Sequence, residues 1–252
     1  EYDGAGFCGW QRQDHAPSVQ AGVEQALSKV ADHAVKVVCA GRTDTGVHAT
    51  WQVIHFDSDA ERSCRSWVLG TNSNLPDGVS LLSAQPVSAE FHARFSAQSR
   101  RYRYVILNRS VSSALLRHRV SWQHRSLDEG LMQTGADLLV GEHDFSSFRA
   151  VACQAKNPVR TVQRLDVSRR GDFVYLDIEA NAFLHHMVRN IAGVLMTVGC
   201  GERPVEWISE ILAFRDRRRG GVTAPASGLY LVGVSYPEAF GVASSGTVPV
   251  YG

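Results

Sequence analysis

The stretch from Arg160 to Asn181 constrains the fold more than any other part of the chain. Arg160–Ser168 and Phe173–Asn181 read as strands, and Arg169-Arg170-Gly171-Asp172 between them supplies a hairpin turn. A lone hairpin is marginal in water and needs further strands and a covering layer. The chain offers both. Ala97–Asn108 alternates and is rich in Tyr, Val and Ile, so it reads as a strand. Val35–Ala40, Thr50–Asp57, Val79–Val87 and Leu229–Tyr236 read as further strands. A helix is expected from Ser18, a natural N-cap, to Asp32, with Val19, Val23, Ala26, Leu27 and Val30 on one face. Others are expected over Arg62–Leu69, from Leu184 to Val198, and from Pro204 to Phe214. Ser126-Leu127-Asp128-Glu129 reads as a capping box opening one more, with Leu127, Leu131 and Leu138 as its apolar stripe. Strands and helices mix in both halves. The expected fold class is α+β, as two modules over residues 1–108 and 109–252 joined by the less regular Arg109–Arg125.

A chain of 252 residues can bury a full core without disulfide or metal staples. A hydrophobic fraction of 44% with 20% charged residues excludes disorder, collagen and coiled coil. No apolar run approaches the ~20 residues of a membrane span, and the start does not resemble a signal peptide. Cys8, Cys39, Cys64, Cys153 and Cys200 are widely spaced with no CxxC, which is neither a disulfide framework nor a zinc signature. The chain opens at Glu1-Tyr2-Asp3-Gly4, so a preceding segment is expected. A net charge of +1 argues against a wholesale polyanion binder but leaves room for a local basic groove. Arg94–Arg109 contains several arginines and no acid. Of the 26 lysines and arginines only Lys29, Lys36 and Lys156 are lysine, a skew that coding bias alone can produce.

The loop Gly41-Arg42-Thr43-Asp44-Thr45-Gly46 carries the clearest chemistry. Two glycines bracket an Arg and an Asp between two strands, and an ionised, positioned aspartate can act as nucleophile or base. The plain alternative is a hairpin loop in which Asp44 caps backbone amides. The loop is neither a P-loop nor an EF-hand. On a strand, Tyr102 and Tyr104 face one way and Arg101 and Arg103 the other. His185 and His186, taken as adjacent helical residues, point apart and make a poor metal pair.

Ala40–Ala49, AGRTDTGVHA, resembles the motif of the TruA family of tRNA pseudouridine synthases, with Thr45 in place of the usual Ala. EYDGAGFCGWQRQ, FHARFSAQSRRYRYVI, GEHDFSSFRA, NAFLHHMVRNIAG and GLYLVGVSYP resemble the same family, in its order and over nearly the whole chain. The resemblance implies the pseudouridine synthase fold. That is two similar α+β modules forming a continuous antiparallel sheet, with helices on one face and a cleft on the other. It implies an isomerase that converts uridine to pseudouridine in the tRNA anticodon stem-loop, at positions 38–40 in the family's case. By this resemblance Asp44 is the nucleophile and Tyr102 packs on the target uracil and is a candidate proton acceptor. Arg189 ion-pairs with the aspartate, and Arg42 enters the space left by the flipped base. RNA contacts are implied at Arg62, Ser110, Phe91, His92, Ala93, Arg94 and Phe95, and at Ala152, Cys153, Gln154, Ala155 and Lys156. No cofactor and no metal are expected. The expected setting is a cytoplasmic homodimer with tRNA as partner and no membrane. The alternatives are a noncatalytic tRNA-binding protein that keeps the fold, and a hydrolase using Asp44 with His48 or His185. The second lacks a recognisable nucleophile–base spacing.

Overall fold

The computed structural model describes residues 1–252. No helix is long and apolar enough to cross a membrane. Spatial contacts divide the chain into a first unit, Glu1–Gln98 with Leu231–Thr247, and a second, Ser99–Tyr230 with Val248–Gly252. The modules at 1–108 and 109–252 follow chain order, whereas these units follow contact, so residues 99–108 and 231–247 fall differently.

In the first unit, α1 (Val19–Ala31) starts where Ser18 Oγ accepts from Ala21 N and ends at Asp32 in the left-handed region. Val19, Val23, Ala26 and Leu27 form its buried face, as the sequence spacing indicates. Glu24 is also buried, and its carboxylate binds Arg12 at 2.8 Å, Gln20 at 3.0 Å and the Val37 amide at 3.2 Å. A buried carboxylate survives because these donors replace its water. The next strands are short: β1 (Val38–Cys39), β2 (His48–Ala49) and β3 (Ile54–His55), with β1 and β3 antiparallel. α2 (Cys64–Asn72) is capped by Ser63 and packs on α1, where Gly70 leaves room for Val30. Val79–Val87 is not a strand. Val79 bridges Tyr2, but beyond it Leu81 is held by the Asn72 side chain at 2.8 and 2.9 Å and Leu82 is exposed. Residues 231–247 belong here because Leu231 O accepts from Thr50 and Trp51, and Tyr236 Oη donates to Ala93 O at 2.7 Å.

The second unit is built on β4 (Ser99–Asn108) and β5 (Ser121–Gln123), then α3 (Glu129–Asp137), β6 (Gly141–Asp144), β7 (Val159–Arg170), β8 (Phe173–Ala180), α4 (Met187–Gly199) and α5 (Trp207–Phe214). Its strand order is β5-β4-β8-β7-β6. The β7–β8 hairpin turns at Gly171-Asp172, with Gly171 at φ 56°. All pairs are antiparallel except β4–β5, which is parallel, so the sheet is mixed. α3 packs on β7, α4 on β4, and the two helices on each other. Residues 248–252 lie against β8, where Tyr175 Oη donates to Tyr251 O at 2.6 Å and Phe173 stacks on Tyr251. The last strand, β9 (Leu229–Ser235), carries the chain back into the first unit.

Two helix starts differ from expectation. α3 is capped by Asp128, whose carboxylate accepts from Leu131 N, rather than by Ser126. Its buried residues are therefore Met132, Gly135 and Ala136, while Leu131 and Leu138 are exposed and Leu127 is buried ahead of the helix. α4 begins at Met187 because His186 sits at φ 62°. His185 and His186 precede the helix with rings 4.1 Å apart, so no helical phase separates them.

Candidate active site

In the first unit the 41–46 loop is held from both sides. Gln52 spans its entrance, donating to Gly41 O at 2.6 Å and accepting from Gly41 N. The Tyr2 hydroxyl pairs with Thr43 Oγ1 at 2.8 Å in a buried bond. Trp10 N donates to Thr43 O at 3.0 Å. Asp44 O accepts from Val47 N at 3.1 Å, closing a turn whose third residue, Gly46, has φ 77°. That is the position at which a type II turn requires positive φ. Gly9, at φ 90°, passes so close that a Cβ there would stand 2.7 Å from Thr43 O and 3.1 Å from Asp44 C. The backbone on both sides of Asp44 is thus fixed, and its carboxylate is half-buried. Such preorganisation is what an aspartate needs to attack or deprotonate one defined atom. Arg42, two residues earlier, is exposed and makes no ion pair with Asp44.

The 91–95 segment divides by depth. Phe91 and Ala93 are core residues, and Ala93 N donates to His55 Nδ1 at 3.0 Å. Arg94 and Phe95 are exposed, Phe95 to 75%. His92 is half-buried. Its Nδ1 accepts from the amides of Arg94 and Phe95, and its ring stacks on Phe95 with centroids 4.3 Å apart. The Arg94 guanidinium stands 5.4 Å from the Phe95 centroid. An exposed aromatic with a guanidinium over it is a platform on which a nucleobase can stack. His55, which sequence reasoning did not single out, packs its ring 4.8 Å from His92. Burial holds its pKa below the ordinary value; the His92 charge acts the same way and Asp57 opposes. Arg62 lies one residue before the α2 cap and donates to Val30 O at 3.1 Å.

In the second unit Tyr102 is buried on β4, with its ring edge-on to Phe183 at 5.0 Å. Tyr104, on the same side of the strand, donates to Pro225 O at 2.8 Å; burial raises its pKa, and the nearby Arg189 cation opposes the rise. Tyr104 is a core residue. Arg103 on the opposite side is committed to Asp177 through two bonds of 2.8 and 2.7 Å, so it is not a free phosphate ligand. Arg189, in the first turn of α4, donates from Nε to Ala224 O at 2.9 Å while Ala224 N donates back to its carbonyl. The 222–224 segment can lie this close because residue 193 is glycine; a Cβ there would stand 1.8 Å from Val222 O. Asn190 is buried and ties Phe148 O, Thr223 and Arg217 together. Arg217 is half-buried and also donates to Gly221 O, while Arg218 pairs with Asp216 at the surface, so Arg217–Arg219 form a 3-10 turn of which only Arg217 is held in this network. Ser110 is exposed just after β4. In the 152–156 segment Ala152, Gln154 and Lys156 are exposed, while Cys153 and Ala155 are half-buried.

The family model for tRNA pseudouridine synthase matches residues 1–96 and 136–237. The chain belongs to the tRNA pseudouridine synthase family. Among curated relatives, a tRNA pseudouridine synthase A of Legionella pneumophila (strain Lens) is 55% identical over all of this chain and 96% of its own length. Namesakes from Pseudomonas aeruginosa and Methylococcus capsulatus are each 58% identical, covering 95% and 96% of this chain and 85% and 90% of their own lengths. The family match contains Arg42, Asp44, Arg62, the 91–95 and 152–156 segments and Arg189. Tyr102 and Ser110 fall in the unmatched stretch, within the full-length alignment to the Legionella relative.

Proposed function

We propose that this chain isomerises uridine to pseudouridine in the anticodon stem-loop of tRNA, at positions 38–40, as a cytoplasmic homodimer. The observation that carries the reading is the doubly anchored aspartate loop in a chain of this family. The glycosidic bond breaks at N1, the uracil turns, and C5 rejoins C1′ of the ribose. The C5 proton leaves to solvent and the freed N1 takes one up, so no atom is gained or lost overall. The target base must leave the stack, at a cost of a few kcal/mol. The exposed Arg42 guanidinium, free of any carboxylate, suits the space the base vacates, because it stacks and hydrogen-bonds at once. Asp44 then either adds covalently to the sugar or base, or takes a ribose proton to give a glycal-like intermediate. Tyr102 and Arg189 take the supporting roles implied by the resemblance. The exposed Arg94–Phe95 pair, Arg62, Ser110 and the 152–156 segment are the RNA contacts of this reading. Several neighbouring target positions imply recognition of tRNA shape more than of base sequence.

The test is tritium release from tRNA labelled at uridine C5, with the product mapped by chemical derivatisation. Release from uridines 38–40 is expected. Release only from other uridines would overturn the anticodon assignment. No release from any tRNA would leave a noncatalytic binding protein.

A further inference from the structure

Most arginines of the second unit have an evident partner. Arg103 holds Asp177, Arg169 holds Glu129 at 2.8 Å, and Arg217 sits in the Asn190–Thr223 network. Arg149 and Arg160 differ. Both are half-buried, and no carboxylate lies within ion-pair distance of either. Arg149 follows the 3-10 turn Ser146–Phe148 and donates from Nη1 to Ala155 O at 3.4 Å. Arg160, the second residue of β7, donates from Nη1 to Asn157 O at 2.9 Å and Val159 O at 2.6 Å. Both bonds leave from Nη1, and its Nε is buried with no partner in the protein. Burial works against its charge. The two guanidiniums reach carbonyls two residues apart on one loop, which Ala150 N anchors to His185 O at 2.8 Å. No acid occurs between Asp144 and Asp166, a stretch that also holds Lys156 and Arg164.

A partly desolvated guanidinium without a counter-charge is costly, and two held on one short loop add to that cost. Holding a loop by its carbonyls needs no positive charge, since a neutral amide would serve. The pattern that rationalises cations here is an anion arriving from outside, and a guanidinium edge matches the oxygens of a phosphodiester. We propose that Arg149 and Arg160 together form a phosphodiester-binding site for the RNA backbone at the foot of the 152–156 loop. The inference rests on RNA as the ligand, as the proposed function has it. It assigns the electrostatic part of this contact to two residues flanking the loop.

The experiment measures tRNA affinity by filter retention across a range of salt concentrations, apart from catalysis. Arg149→Gln and Arg160→Gln keep a donor for the carbonyls but lose the charge. Each should flatten the slope of log Kd against log salt by about 0.7 to 1 and weaken binding at low salt. Arg160→Lys should hold the wild-type slope. Arg170→Gln, an exposed arginine at the β7–β8 turn, controls for net charge and should leave the slope unchanged. Circular dichroism checks folding. If Arg160→Gln does not fold, Arg149→Gln carries the test alone, because Arg149 makes a single long loop bond. Wild-type slopes in the glutamine variants would overturn the proposal and leave both residues as loop braces. Failure of tritium release by the wild type bears on the enzymatic reading and leaves this slope comparison intact.

Discussion

Replacing Gly9 with Ala should distort the 41–46 loop without altering any side chain of the proposed site. Two penalties combine. At φ 90° an L-residue sits in a sparsely populated region, at roughly 1–3 kcal/mol. The added methyl also overlaps Thr43 O at 2.7 Å, Asp44 C at 3.1 Å and Thr45 N at 3.2 Å. All three are backbone atoms, so no rotamer change relieves the overlap, and overpacking of this kind typically costs about 1–3 kcal/mol. A combined cost of about 4 kcal/mol in a chain this size lowers Tm by about 8–16 °C. To the extent that the loop yields instead, the cost moves from stability to rate. A displacement near 1 Å at a reacting group can cost about 10²-fold, so kcat for tritium release should fall at least about tenfold. The control is Gly171→Ala, at φ 56° with no atom near the added Cβ. It should lose about 1–2 kcal/mol of stability and keep its kcat. Thermal melts and initial rates on both variants decide the matter. A Gly9→Ala enzyme with wild-type Tm and kcat would refute the claim that the loop is rigidly braced.

Tyr102→Phe should fold normally yet lose most of its rate, as judged by circular dichroism and single-turnover tritium release; an unchanged rate would remove the hydroxyl from proton transfer. His55 gives a pH prediction. Its folded pKa lies below the ordinary value near 6.5, so the folded state binds fewer protons than the unfolded one. Its contribution is complete above pH 6.5 and is lost as pH falls through 6.5 toward the folded pKa. The urea midpoint of the wild type should therefore drop across that window more steeply than that of His55→Gln, and parallel curves would contradict the assignment.

Features set by local chemistry were legible in the sequence. Ser18 caps α1, Gly171 turns the β7–β8 hairpin, and the Gly41–Gly46 loop lies between short strands with the backbone around its aspartate braced. Features set by tertiary contact were not. Ser126 and Asp128 are both good caps two residues apart, and choosing the first shifted the apolar stripe of α3 off Met132 and Ala136. Val79–Val87 has strand composition, but Asn72 and Tyr2 satisfy its first residues, and Pro86 cannot donate to a ladder. Nothing local says that residues 248–252 cover β8. Nothing local marks His55, Arg149 or Arg160 either, because each acts through partners brought near only by folding. The 91–95 segment reads as one motif, yet depth separates its core residues, Phe91 and Ala93, from the exposed Arg94 and Phe95.

In the proposed reaction Asp44 performs the chemistry. The most direct measurement is single-turnover tritium release by Asp44→Ala from C5-labelled tRNA, with tRNA affinity and circular dichroism measured on the same preparation. The expected result is a folded protein that binds tRNA and releases tritium at least about 10⁴-fold more slowly than wild type. Turnover at the wild-type rate by that variant would contradict it.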